Sequence, residues 1–178
     1  MIAKDTFKKE ILAPIRSQFL ANESLANAYC VIWAVDSYAT HVALEKIDRS
    51  ELSTRAESDF KRKAVAYSWQ FRVIREASNA TKHAIRHSRA GRKNPTVLDV
   101  SNSSDVKPDT GVSFYAYFNN VDGGVTIRLD WNYNPYENVF YDSNGKVVEG
   151  YRGVGNEVYL STIIDDAIKA IDLLANPS

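Results

Sequence analysis

A basic stretch in the middle of the chain carries residue types that could cleave RNA. Arg75, Asn79 and His83 follow one another at intervals of four residues, so on a helix they lie along one face over two turns. Arginine binds phosphate through a planar set of donors, and histidine titrates near neutral pH and transfers protons. An asparagine amide can orient the histidine or donate to an oxyanion. These residues predict cleavage of an RNA phosphodiester by its own 2′-hydroxyl, with no metal and no cofactor.

The surrounding segment is strongly positive. Residues 61–93 hold ten Lys and Arg side chains against a single acid, Glu76. Such a density is typical of a surface that binds phosphates or nucleic acid. The cations predicted to bind RNA beside the catalytic face are Arg72, Lys82, Arg86 and Arg89.

Other readings of the same segment stay open. Residues 98–178 carry 12 acids and 5 bases, so the acidic half could neutralise the basic helix within the fold. The face could equally be solvated, or it could bind the acidic surface of a partner protein without any catalysis.

Residues 74–85 resemble the signature helix of HEPN-type domains, small helical bundles of bacterial toxin–antitoxin, abortive-infection and CRISPR-associated systems. The family pattern is Arg, a polar residue that is often Asn, three variable residues and then His. Asn79 and His83 match its spacing, whereas Ser78 stands at the family's Arg position and Arg75 lies one turn earlier. The resemblance covers roughly residues 20–90. It implies a helical bundle, a homodimer and a metal-independent RNase, and Ser78 leaves open whether RNA is cleaved or only bound.

The first two helices are predicted from the spacing of apolar residues. Asp5 or Thr6 is expected to cap the first helix, which Pro14 should kink or divide. Ser24 is expected to cap the second helix, in which apolar residues recur at helical intervals.

The third helix should hold the candidate site. Its apolar residues alternate by four and three, which is typical of a packing face. This spacing predicts one continuous helix over 59–88, with Tyr67, Phe71 and Ile74 buried. Gly91 is the expected stop.

The rest of the chain has a different pattern. Residues 91–111 are rich in Gly, Pro, Ser, Asn and Asp, which indicates a linker or loop. Aromatic and β-branched runs from residue 112 onward predict three or four antiparallel strands, and Ser161 or Thr162 should cap a closing helix. We therefore expect an α+β protein: a helical bundle over 1–90, then a small antiparallel β-meander and a C-terminal helix over 112–178, packed on the bundle as one compact unit.

Composition excludes several classes of protein. The chain has 178 residues, of which 44% are hydrophobic, and a single Cys, so neither an internal disulfide nor a cysteine-based zinc site is expected. No apolar run is long enough to cross a membrane. Acids and bases alternate near Met1, unlike the pattern of a signal peptide, so we expect a cytoplasmic protein.

Overall fold

The structure, a computed structural model, describes residues 2–45, 54–82 and 157–176, together with short strand segments between 85 and 154. Side chains are described for 2–45, 55–79 and 158–176 and for a few strand positions. The chain is an α+β protein, as predicted. The helices are α1 (Lys4–Phe7), a π-helical segment (Lys8–Leu12), α2 (Ala13–Ala21), α3 (Leu25–Glu45), α4 (Thr54–Tyr67), α5 (Trp69–Lys82) and α6 (Leu160–Ala175).

The chain folds into two compact units. One comprises residues 1–78 and 163–178, and the other comprises residues 79–162. The first unit therefore includes α6 from Ile163 onward together with the N-terminal helices. Within the described residues, no helix combines the length and the apolar character needed to span a membrane.

A wide helical turn precedes Pro14 in the N-terminal helix. The Ala13 N–H donates to the Lys8 carbonyl, five residues back, instead of the usual four. Proline has no N–H to donate, and its ring would crowd the carbonyl of Glu10, so the π-helical segment lies where a regular α-helix would be strained. The predicted caps were wrong: the helix begins at Lys4, after Ala3, without a side-chain cap.

Helix α3 forms the centre of the first unit. The Ser24 hydroxyl accepts the Asn27 N–H at 3.3 Å, which confirms the predicted cap. Helices α1, α2 and α4 all contact α3. Its fully buried side chains are Ala28, Val31, Ile32, Val35 and Ala39.

The predicted continuous helix over 59–88 is divided at Ser68. The Ser68 N–H completes the last turn of α4 by donating to the Ala64 carbonyl, and its own carbonyl accepts the Arg72 N–H of α5. Its hydroxyl accepts the Phe71 N–H at 3.1 Å, as a helix N-cap does. Phe71 is buried as predicted, and so is Ile74 on the same face.

The burial predicted for Tyr67 was wrong, since this side chain is 58% exposed. Tyr67 is the last residue of α4, and it lies beside the buried face formed by Ala64, Ser68 and Phe71 rather than on it.

Helix α6 packs on the N-terminal helices. The Tyr38 hydroxyl donates to Asp172 at 2.6 Å, and the Lys8 ammonium reaches the same carboxylate at 2.6 Å. Ala167 and Ile171 are fully buried. The expected cap at Ser161 or Thr162 was wrong, because the helix begins at Leu160 and the Thr162 hydroxyl instead donates to the Tyr159 carbonyl.

The second unit is built from antiparallel strands. The strands are β1 (Ile85–Arg86), β2 (Thr96–Val97), β3 (Ser104–Val106), β4 (Phe114–Ala116), β5 (Asn120–Val121), β6 (Gly124–Leu129), β7 (Asn132–Asn134), β8 (Val139–Tyr141), β9 (Gly153–Val154) and β10 (Glu157–Tyr159). The largest sheet has the order β3-β4-β6-β10-β9, with β5 also paired to β6. Ile127 opposes Val158 in it, and both are fully buried.

Three short strands, β1 to β3, lie in segments that the sequence assigned to helix or linker. Each of these strands pairs with a segment about twelve positions away, so the local residue pattern does not reveal it. Ile85 opposes Val97, and Ser104 opposes Ala116. The sequence pattern predicts two hairpins, one joining 112–118 to 125–131 and one joining 139–141 to 146–148. The pairing of β4 with β6 and the bridge between Tyr141 and Val147 agree with them.

Candidate functional site: a buried charge cluster at Asp36

A buried carboxylate stands at the centre of the first unit. Asp36 is 1% exposed and lies on the apolar helix α3. A buried charge is strongly unfavourable unless it is paired and hydrogen-bonded. Three donors meet that need: Arg75 donates through Nη1 to both Asp36 oxygens at 2.9 and 2.8 Å, Lys61 Nζ lies 3.2 Å from Oδ1, and the Ser78 hydroxyl donates to Oδ2 at 3.1 Å.

Lys61 extends this arrangement to a second acid. Its side chain is 6% exposed, and its ammonium lies 2.8 Å from the Glu57 carboxylate. Glu57 also accepts the Thr40 hydroxyl at 2.9 Å. Burial raises the pKa of Glu57. The hydrogen bond and the charge of Lys61, together with the hydrogen bond from Thr40, lower this pKa by a larger amount, so it lies below its ordinary value.

We call these six residues the Asp36 cluster. Each of three helices contributes two members spaced one turn apart, which places both on one face. Two carboxylates face two cations, so the cluster is formally neutral. Its members are Asp36 and Thr40 on α3, Glu57 and Lys61 on α4, and Arg75 and Ser78 on α5.

Ser78 stands where the HEPN pattern has an arginine, and in the structure it binds the buried acid. Its side chain is fully buried, and its hydroxyl donates to Asp36. The guanidinium that reaches Asp36 comes from Arg75, one turn earlier on the same helix. A short hydroxyl side chain therefore occupies the arginine position of the pattern, and the guanidinium that binds Asp36 comes from Arg75 in the preceding turn of α5.

The predicted catalytic residues are only partly described. Arg75 is 28% exposed at its side chain and is bound to Asp36. Asn79 lies one turn further along α5, is half-buried, and is the first residue of the second unit. His83 lies outside the described residues.

The cations predicted to bind RNA are also partly described. Arg72 is half-buried on α5. Lys82 ends α5 and Arg86 lies in β1, but the side chains of both are outside the described set, as is Arg89 altogether.

Asp36 and Lys61 were not among the site residues predicted from the sequence. A signal for Asp36 was present, because it is the first charged residue of an apolar run that begins at Leu25. An acid in the middle of a largely apolar helix needs a partner in the interior. No comparable signal separates Lys61 from its neighbours Arg62 and Lys63.

The described histidine, His41, has a packing role. Its ring stacks on Phe7 with centroids 4.2 Å apart, and its Nδ1 lies 2.7 Å from the Ile2 carbonyl. In the part of the chain that the structure describes, no three His, Cys, Asp or Glu side chains come together as a metal site.

Comparison with protein-family models, with curated proteins and with solved structures finds no match to this chain. The geometry of the chain itself is therefore the basis for proposing a function.

Proposed function

We propose that this chain is an RNA-associated protein of the HEPN-like, prokaryotic or phage defence type. The Asp36 cluster fixes α5 against α3 and α4, and exposed cations of the basic segment contact RNA phosphates. The observation that carries the proposal is the division of cations on α4. Lys61 points inward to two acids, whereas its neighbours Arg62 and Lys63 are exposed.

The acids of α6 support this proposal. Among the described residues, Asp165 pairs with Arg16, Asp166 accepts from Gln70, and Asp172 pairs with Lys8. None of these partners is a cation of residues 61–93. The described acidic residues of the C-terminal helix thus do not neutralise the exposed cations of α4.

RNA cleavage is the catalytic form of the proposal. The 2′-hydroxyl would attack the adjacent phosphorus while its proton passes to a base, and the 5′-oxygen would leave with a proton. His83 is the proposed proton-transfer group, and Asn79, four residues earlier in the sequence, is its proposed partner. Because Asp36 binds Arg75, we assign Arg75 to holding α5 in position as well as to the charge of the site.

A second copy of the chain is the partner we propose for α3. Leu25, Tyr29 and Trp33 follow at intervals of four on its outer face, and Leu25 and Trp33 are 38% and 39% exposed. No charged residue occurs between Leu25 and Val35. An uncharged apolar face is poorly suited to RNA, but it is complementary to itself across a two-fold axis.

The test of RNA association is a salt titration of RNA affinity. Binding should weaken with salt, and replacing both Arg62 and Lys63 by Ala should flatten the logarithmic slope by about 1.4, since each phosphate contact on a single strand contributes about 0.7. Lys9→Ala with Lys169→Ala is the control, because it removes the same charge from exposed positions elsewhere. A protein that binds no RNA at low salt, or equal slopes for the two double variants, would contradict the proposal.

A further inference from the structure

We infer that the outer face of α4 binds single-stranded RNA and that Tyr67 stacks against an unpaired base. The inference rests on the proposed function and names its nucleic-acid class. It starts from Tyr67, which has the largest exposed fraction, 58%, among the large apolar side chains that the structure describes. By contrast Tyr38, in the same unit, is 2% exposed.

Tyr67 ends an exposed stripe that runs the length of α4. Arg55, Ser58, Arg62 and Ala66 recur at intervals of three or four residues and share one face, and Lys63 and Tyr67, four residues apart, lie beside it. From first to last they span about 18 Å at 1.5 Å per residue. The exposed members of the stripe are Arg55, Ser58, Arg62, Lys63, Ala66 and Tyr67.

The charges of this stripe suit a phosphate backbone. Arg55 and Arg62 are 88% and 78% exposed, and Lys63 lies one turn before Tyr67. Asp59 is the acid beside these cations. Its carboxylate oxygens lie 3.9 Å from Arg55 Nε and 2.9 Å from Arg62 Nη2. Ion pairs this exposed are weak, so a phosphate can replace Asp59 as the partner of either guanidinium.

The exposed ring of Tyr67 favours single-stranded over double-stranded RNA as the partner. Bases in an RNA duplex are stacked on one another, and the deep, narrow major groove excludes side chains. An unpaired base can lie against an exposed ring while cations one turn away bind its phosphate. An acidic protein surface would use the three cations but has no need of an exposed ring beside them.

The experiment compares a labelled 12-nucleotide oligouridine with a duplex RNA of equal length, by fluorescence anisotropy at low salt. The wild-type chain should bind the single strand more tightly. Tyr67→Ala should weaken single-strand binding by about tenfold, the effect of losing one base stack, and Tyr67→Phe should retain it because the ring remains. Tyr159→Ala removes an equally large ring that is 39% exposed and should bind like the wild type.

Asp59→Asn should change the affinity for single-stranded RNA in the opposite direction to Tyr67→Ala. Removing the acid should strengthen binding to the single strand and steepen its salt dependence, since Asp59 then no longer competes with phosphates for Arg55 and Arg62. Thermal unfolding of each variant serves as a check of folding.

The possible failures are distinguishable. If the wild type binds RNA but Tyr67→Ala binds equally well, or if the duplex binds as tightly as the single strand, this inference is overturned and RNA association stands. If the wild type binds neither RNA, the inference and the proposed function both fail, and an acidic protein becomes the better candidate partner.

Discussion

Arg75 donates from one terminal nitrogen to both carboxylate oxygens of Asp36, at 2.9 and 2.8 Å. The two residues are 39 positions apart in sequence. The contact joins α5 to the centre of α3 and takes one cation of the basic segment into the interior. Arg75 was predicted as a phosphate ligand, and its described partner is a carboxylate of the same chain.

Asp36→Ala should lower the free energy of unfolding by about 3–5 kcal/mol, because it leaves Lys61 and Arg75 without their buried carboxylate. Urea denaturation monitored by circular dichroism measures this loss. Asp165→Ala is the control: it breaks an ion pair with Arg16 in which the Asp165 side chain is 61% exposed and should cost less than about 1 kcal/mol. Equal losses for the two variants would contradict a central role for Asp36.

Ser68→Ala should destabilise the protein by about 0.5–2 kcal/mol, the usual range for loss of a helix N-cap. The same urea experiment applies. Ser58→Ala is a matched control within α4, where alanine has the higher helix propensity, so it should be neutral or slightly stabilising. A neutral result at Ser68 would mean that α4 and α5 do not need this cap.

Protonation of the Glu57 carboxylate at acidic pH should lower the free energy of unfolding of the protein. A carboxyl whose pKa is lower in the folded state stabilises the fold above its unfolded pKa, and this contribution is lost as the pH falls through the folded pKa. The pKa of Glu57 lies below the ordinary value of 4.5. The stability difference between wild type and Glu57→Gln should therefore be constant near neutral pH and narrow below about 4.5. Urea titrations from pH 7 to about pH 3 measure it, and a difference that never narrows would refute the assignment.

Trp33→Glu should convert the proposed homodimer to a monomer, because it places a charge on the apolar face of α3. Size-exclusion chromatography with light scattering gives the mass directly. Ile11→Glu, at another exposed apolar position, should leave the mass unchanged. A wild-type chain that is monomeric throughout the accessible concentration range would rule out self-association through this face.

If the protein cleaves RNA, His83→Ala should abolish cleavage, and the wild-type activity should persist in EDTA, since the proposed chemistry uses proton transfer and no metal. A 3′-end-labelled RNA resolved on a denaturing gel provides the assay. RNA affinity and circular dichroism should be unchanged in the variant. Cleavage that survives the substitution, or that stops with EDTA, would exclude this mechanism.

Much of the local structure followed from sequence pattern. The Ser24 cap, the burial of Phe71 and Ile74, and the pairing of β4 with β6 were all predicted, since each depends on residue type and near-neighbour spacing. The single helix over 59–88 was not correct. Its apolar spacing continues across Ser68, and spacing alone does not show that a serine hydroxyl ends one helix and caps the next.

Composition and periodicity are properties of the chain before it folds, and they were enough to predict an α+β chain with an unusually basic segment. Which cations are available to a partner depends instead on the tertiary fold. Lys61 and Arg62 are adjacent in sequence, yet one is buried against two acids and the other is exposed. The difference arises because α3 brings Asp36 within reach of Lys61, and the direction of each side chain on α4 then separates an internal charge from an external one.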